Sequence, residues 1–384
     1  MDGQGFLRAT EAITGAPVTG GNDAELLVNG DNIFPAFLET IEGAERTINL
    51  LTYVYWTGDI AREVAEALCS KASGGVKCNV LLDAVGAYKM NSSLIGDMES
   101  AGVNIHRFRP VKPYAIRRVT NRTHRKILVA DGRVGMTGGV GIAQEWTGNA
   151  QDPDHWRDTH VRVRGPVVRG LQGAFAENWL EATGEVLTGE AYLPQLDPVD
   201  GGGAMQVMRS SAGVGDTDAE ALYYLAVASA RKSLALTSAY FAPRPAFTQA
   251  LVAAVERGVD VRVLVPGPHI DKRVVRAAGH SSYEQLLSGG VRIFEYQPTM
   301  MHAKTLVVDD AWSSVGSVNF DNRSFQLNDE VTLTVWSGAF AGQLLEVFES
   351  DIEHSTEMRR GSWDRRPLAQ KVIEQSSRLL RREL

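Results

Sequence analysis

Two stretches of the chain, "THRKILVADGRVGMTGG" from Thr123 and "MHAKTLVVDDAWSSVGS" from Met301, carry one pattern: His-x-Lys, an apolar run closed by Asp, then a glycine-rich turn. The pattern residues recur at a constant offset of 178, pairing His124 with His302, Lys126 with Lys304 and Asp131 with Asp309. The likeness extends outward. "RTINLLTYVYW" from Arg46 matches "KSLALTSAYFA" from Lys232, each a short apolar strand ending in aromatics. Helical stretches follow, "DIAREVAEALCSKASGG" and "RPAFTQALVAAVERG", then second strands "VKCNVLL" and "VDVRVLV", then "AGVNIHRF" and "GGVRIFEY". Strand–helix alternation with such apolar strands predicts an α/β layer fold with a largely parallel sheet. Two similar units make it an internal duplication. The join falls in "LTGEAYLPQLDPVDGGGAMQ", rich in Gly, Pro and Asp, so the expected units are residues 1–195 and 196–358, with a basic tail at 359–384.

A strand alternates faces with period two, so His124 and Lys126 point one way, as do His302 and Lys304. Asp131 and Asp309 come seven residues after their histidines, on the opposite face of a regular strand. That parity predicts that they lock the strand end rather than touch a substrate. Brought together across a pseudo-two-fold axis, the two His–Lys pairs build one pocket. A neutral imidazole attacks phosphorus or carbon, and a protonated one donates to the leaving group. Two ammonium groups hold the oxygens of a phosphodiester. The same lysines would repel a metal ion held by the histidines and aspartates, so no metal ligands are assigned. A reacting histidine needs a partner on its other ring nitrogen. "WRDTHVRVRG" supplies Asp158 and "LNDEVTLTVWSG" supplies Glu330, which predicts Asp158 on His124 and Glu330 on His302. Asp154, Glu145 and Asp329 stand close enough in sequence to compete for these places.

With these residues in place the sequence resembles the phospholipase D superfamily, and within it the bacterial cardiolipin synthase branch. The phrases that carry the likeness are the two motif strands, "WRDTHVRVRGPVV" with "FAENW", "SYEQLLSGGVRIFEY" and "GSVNFDNRSFQLNDE"; it covers nearly the whole chain. The resemblance implies two similar α/β/α sandwich units related by pseudo-two-fold symmetry. It implies a metal-independent phosphatidyltransferase, making cardiolipin from phosphatidylglycerol through a phosphohistidine, with water as the rival acceptor in a phospholipase D. His124, Lys126, Asp131, His302, Lys304 and Asp309 fall on the motif positions counted as catalytic, His124 as nucleophile and His302 as acid and base. Gly139, Ser317 and Asn319 fall on the turn that binds phosphate. One departure stands out: Gly141 occupies the position where Asn is expected, although the second half keeps Asn319.

The formal net charge of −7 gives no general basic field toward nucleic acid or membrane, which disfavours a nuclease. Cationic segments are local. Arg117, Arg118, Arg122 and Arg125 precede the first motif, at the mouth for a phosphate headgroup or on a solvated loop. From Met358 onward eight basic residues face three acidic ones beside Leu368, Val372, Ile373, Leu379 and Leu380. That composition predicts either an amphipathic helix on anionic lipid or a solvated tail packed on the domain. No window reaches the roughly 18 apolar residues of a membrane span, so the expected location is cytoplasmic and peripheral, on the inner face of the cell membrane. The expected partners are phospholipid substrates, with no nucleic acid and no obligate protein partner. Cys69 and Cys78, the two cysteines, are expected as unlinked buried thiols. The aromatics of "TYVYW" and "SAYFAP" border an acyl groove or fill core.

Overall fold

The computed structural model describes residues 3–110, 120–212, 216–364 and 366. The first half carries β1 (Thr19–Val28), β2 (Thr47–Thr52), β3 (Lys77–Asp83), β4 (Asn104–Phe108), β5 (Arg122–Thr123), β6 (Ile127–Ala130), β7 (Val134–Gly138) and β8 (Thr159–Arg164). The second carries β9 (Gly203–Ser210), β10 (Ser233–Ser238), β11 (Asp260–Pro266), β12 (Arg292–Tyr296), β13 (Lys304–Val308), β14 (Trp312–Gly316), β15 (Asn328–Trp336) and β16 (Ser355–Met358). Their order across the sheet, β16-β12-β11-β10-β13-β14-β15-β9-β1-β8-β7-β6-β2-β3-β4, reads the same from either side of the β9–β1 seam, except for the extra β16. The duplication has produced one continuous sheet with a pseudo-two-fold axis at its centre.

The sheet is less parallel than the alternating pattern predicts. In the first half only β2–β3 and β3–β4 run parallel, whereas β2–β6, β6–β7, β7–β8 and β8–β1 are antiparallel. The parallel pairs are the ones joined by crossover helices, α3 (Asp59–Ser73) and α4 (Ser92–Ser100); the tight turn at Asp131 and Gly132 allows only an antiparallel return.

Helices cover both faces. Against one face, α2 (Gly30–Glu42), α3 and α4 bury Ile33, Val64, Leu68 and Met98 in a first-half core. On the second half, α6 (Asp218–Ser229), α7 (Pro245–Glu256) and α8 (Arg273–Ser288) bury Leu222, Leu251 and Leu286. The other face carries α5 (Val168–Thr183) and α10 (Gly338–Glu353), whose Phe175, Trp179, Leu344 and Phe348 belong to one apolar core with strand residues of both halves. The helix α1 (Gly3–Thr14) crosses over: its Phe6 packs edge-on against Trp312 at 5.6 Å, among second-half residues. Cys78 is buried, Cys69 half-buried, and neither is linked. Among the described residues no helix is long and apolar enough to cross a membrane.

Candidate active site

The histidines do not lie within regular strands, as an unbroken His-to-Asp strand would require. Each sits in an extended link just ahead of β6 or β13, and each link pairs with the opposite half. The first runs parallel to the start of β15, with Arg122 opposite Asn328 and Thr123 opposite Asp329, and His124 N–H donates to Asp329 O at 2.8 Å. The second bridges Met301 to Arg157, and His302 N–H donates to Arg157 O at 2.7 Å. Those backbone bonds carry the histidines to the carboxylate one residue further along the partner segment.

The carboxylate pairing is therefore crossed. His124 Nδ1 lies 3.0 and 3.1 Å from the two Glu330 oxygens, and His302 Nδ1 lies 2.7 Å from Asp158 Oδ2. The sequence-based expectation, Asp158 on His124 and Glu330 on His302, is corrected: alignment of the halves matched equivalent strands, whereas each link docks on the other half. The competitors stand elsewhere. Asp329 accepts from Asn178 Nδ2 and Ala212 N–H at 2.9 and 2.6 Å, Asp154 is exposed, and Glu145 offers its backbone carbonyl to Trp156 N–H.

The motif aspartates lie away from the histidines. Asp131 accepts the N–H groups of Glu45, Arg46 and Thr47 at 2.7–2.8 Å, and Asp309 those of Arg231, Lys232 and Ser233 at 2.7–3.1 Å. Each adopts a left-handed φ of 54°, which Asp tolerates better than most residues. They fasten the first residues of β2 and β10. Two of the three turn residues expected on phosphate face the carboxylates instead. Gly139 N–H is bound to Thr159 O, and a Cβ there would meet Asp158 Oδ1 at 2.1 Å, so the position is glycine to admit that carboxylate. Ser317 donates its hydroxyl to Glu330 and its N–H to Val331 O. Asn319 does border the central cavity, and its Oδ1 accepts from Tyr240 N–H at 3.3 Å. At Gly141 a Cβ would meet Val54 Cβ at 2.7 Å, so an Asn side chain has no room there.

A cavity of about 610 Å³ opens between the halves, lined by His124, Lys126 and His302. Lys304, 1% exposed, lies beneath it, with Nζ 2.9 and 3.1 Å from the ring nitrogens of His302. Lys126 Nζ donates to His124 O at 2.8 Å. Burial, resisted by Glu330 and reinforced by Lys126, pushes His124 down to about 4. Burial and Lys304 push His302 down to about 3. Burial and the charge of Lys304 lower Lys126 to about 7, and burial lowers Lys304 to about 8. Burial works to raise the carboxyls of Asp158 and Glu330, but the histidines and lysines outweigh it and hold both low. The site thus holds neutral imidazoles on ionised carboxylates, above lysines that Asp158 and Glu330 attract but that make no direct ion pair among the described residues. An anion between them offsets the repulsion and raises both lysines toward their ordinary range.

The surroundings of the two pairs differ, and the sequence did not reveal it. Glu330 also receives Ser324 Oγ at 2.7 Å and Asn328 Nδ2 at 3.3 Å. Asp158 receives the indole N–H of Trp146 at 2.9 Å and Thr159 N–H at 2.7 Å. Trp146 and Trp156 flank the His302 ring at centroid distances of 5.2 and 5.5 Å, while Tyr53 stands edge-on to His124 at 5.4 Å. Tyr53, Trp56 and Tyr240 line the cavity, whereas Tyr55 and Phe241 are core, so the paired aromatic segments split between the two expectations. Of the basic cluster, Arg117 and Arg118 lie outside the described residues. Arg122 borders the cavity but spends its charge on Asp83 at 3.0 Å. Arg125 is fully buried, donating to Ala174 O, Ser210 O and Glu330 O, and ties α5 to β9 and β15.

Residues 37–155 and 225–352 match the family described as cardiolipin synthase, PLD-like domain. The chain is 36% identical over 366 residues to a cardiolipin synthase of Alkalihalophilus pseudofirmus, covering 95% of this chain and 73% of that one. It is 35% identical over 377 residues to that of Halalkalibacterium halodurans, covering 98% and 75%. Among solved structures, the phosphatidylserine synthase of Haemophilus influenzae superposes with a TM-score of 0.75 over 99% of this chain and all (100%) of its own, at 14% identity. That likeness shows the shared fold.

Proposed function

Since the chain belongs to the phospholipase D-like cardiolipin synthase family and is a phosphatidyltransferase of the phospholipase D type, we propose that it makes cardiolipin from phosphatidylglycerol in two displacements at one phosphorus. The observation that carries this reading is the crossed pair of His–carboxylate contacts over a shared cavity. Each carboxylate holds Nδ1, which turns Nε2 of His124 to chemistry, while Nε2 of His302 lies 3.1 Å from Lys304 Nζ. The Nε2 lone pair of His124 attacks phosphorus, and the bond to the departing glycerol oxygen breaks as His302 supplies its proton. The hydroxyl of a second phosphatidylglycerol then gives its proton to His302 and attacks the same phosphorus, and the P–N bond to His124 breaks. Burial and Lys304 favour neutral His302; the phosphate anion of a bound lipid and Asp158 together favour the imidazolium that the first step needs. Lys126 and Lys304 offset the charge on the non-bridging oxygens. No step calls for a metal ion.

The test is incubation with phosphatidylglycerol vesicles plus chelator, followed by mass analysis of the lipids. Cardiolipin and glycerol are expected, unaffected by the chelator and lost in His124→Gln and His302→Gln. Phosphatidic acid as the sole product would make water the acceptor. Trapping by alkaline denaturation, which spares the acid-labile P–N bond, with the phosphoryl group on His124 rather than His302, checks the assignment of roles.

The proposal includes contact with anionic lipid through residues 359–384. Arg359 and Arg360 are exposed, and α11 (Arg360–Asp364) sets Trp363 against His280 and Tyr283 at 5.1 and 5.0 Å. Arg365 and residues 367–384 lie outside the described residues. Truncation after Arg366 is expected to weaken sedimentation with phosphatidylglycerol vesicles at least tenfold; unchanged sedimentation rejects this contact.

A further inference from the structure

The cavity has two unlike walls. Around His302 it is aromatic, with Trp146, Trp156 and Trp56 beside Val54 and Val275. The other wall is built from the second-half turn: Asn319, Asp321, Ser324 and Asn328. Most polar atoms of that wall are committed, Ser324 Oγ to Glu330, Asn328 Nδ2 to Glu330 and Asn319 Oδ1 to Tyr240 N–H. Two acceptors are not. Asn328 Oδ1 is buried with no partner among the described residues. The Asp321 carboxylate, on a residue 3% exposed that caps the N-terminus of the short helix α9 (Asn322–Gln326), accepts only Ser324 N–H, through Oδ1 at 2.8 Å, among the described residues.

A buried acceptor left unpaired costs about 1–3 kcal/mol, so the wall favours a ligand that brings hydrogens. A phosphodiester has none, and neither have acyl chains. Hydroxyl groups do. An ammonium group also carries hydrogens, but Arg323 borders the same wall, Lys272 stands nearby, and both oppose a further cation. Burial pushes the Asp321 carboxyl up to about 7, which suits a partner without charge.

We propose that Asp321, with Asn328 packed behind it, forms a headgroup subsite that accepts hydrogen bonds from the hydroxyls of a polyol, and that Asp321 sets the preference for polyhydroxy over monohydroxy acceptors. This rests on the transfer reaction proposed above. The aromatic wall is then left for the apolar part of the phosphatidyl group. A site built to bond a hydroxyl rejects analogues that lack it, because its own acceptors stay unpaired.

The experiment supplies phosphatidylglycerol vesicles with isotopically labelled glycerol, 1-propanol or ethanolamine as soluble acceptor, and compares kcat/KM for each phosphatidyl alcohol, the glycerol product being told from the donor by its label. The parent protein is expected to favour glycerol over 1-propanol at least tenfold, with ethanolamine no better than 1-propanol. Asp321→Ser keeps a helix-capping oxygen, and Asp321→Asn keeps size and capping; both are expected to lower the glycerol-to-propanol ratio at least fivefold, with folding checked by circular dichroism. An unchanged ratio in both variants overturns the subsite, as does a parent preference for ethanolamine. Transfer to no alcohol at all by the parent protein overturns the reaction itself, and the subsite with it.

Discussion

Trp146 is the side chain that ties one carboxylate to one wall of the cavity. It is 2% exposed, donates to Asp158 and stands edge-on to the His302 ring. A hydrogen bond to a charged group contributes roughly 1.5–3 kcal/mol. Trp146→Phe is expected to lower kcat roughly ten- to a hundredfold with little change in KM, and to shift the pH profile as the His302–Asp158 pair loses that donor. An unaltered profile would reduce Trp146 to packing. The motif histidines and lysines were legible as a pocket because their identity and spacing carry chemistry. Trp146, Ser324 and Asn328 were not, since Trp, Ser and Asn at single positions have many ordinary places in a fold. Gly139 was misread for a related reason: a sequence shows that a glycine is present, not which neighbouring atom fills the space it leaves.

At the level of strands and links, the crossed pairing depends on short contacts between halves. Arg157 makes a bidentate pair with Asp351 of α10 at 2.9 and 2.9 Å, both nearly buried. The same residue carries the carbonyl bonded to His302 N–H and precedes Asp158. Asp351→Ala leaves Arg157 buried without its counter-charge, which costs about 3–5 kcal/mol. Expected are a Tm lower by several degrees and a loss of turnover that persists below the new Tm. Retained turnover would mean the link holds its place without the pair. Apolar runs and helical stretches gave the strands and helices of each half, because β2, β3, α3 and their second-half counterparts are locally consistent. Strand direction beyond β4 and the docking of each histidine link on the opposite half were not readable, since period and propensity report faces and not partners.

Across the assembled cleft, the lysines make the protein's stability sensitive to pH. Lys126 and Lys304 are depressed from the ordinary lysine range to about 7 and 8. The unfolded chain therefore binds more protons than the folded one from there up to about 10.5, and their cost to stability fades as pH rises through that window. The histidines act in the same direction lower down: depressed to about 4 and 3, they take stability away as pH falls below about 6.5. Asp321, raised to about 7, works in the opposite sense between about 4 and 7. Lys126→Met is expected to raise Tm at neutral pH by roughly 2–5 °C, to flatten its rise above pH 7, and to abolish transfer. A lower Tm would show that the ammonium is better satisfied in the empty site than its surroundings indicate.

Because each imidazole leans on a carboxylate supplied by the opposite repeat, neither repeat is self-sufficient; a chain of half this length would have to meet a twin to complete the same cleft. In such a symmetric pair every change made for one histidine is imposed on the other. Covalent fusion removes that bond of likeness, and the two halves do differ: Trp146, Trp156 and Gly141 lie on one side, Asn319, Ser324 and Asn328 on the other. The two displacements proposed at one phosphorus ask different things of their two imidazoles, and a covalently joined pair of repeats can meet them separately.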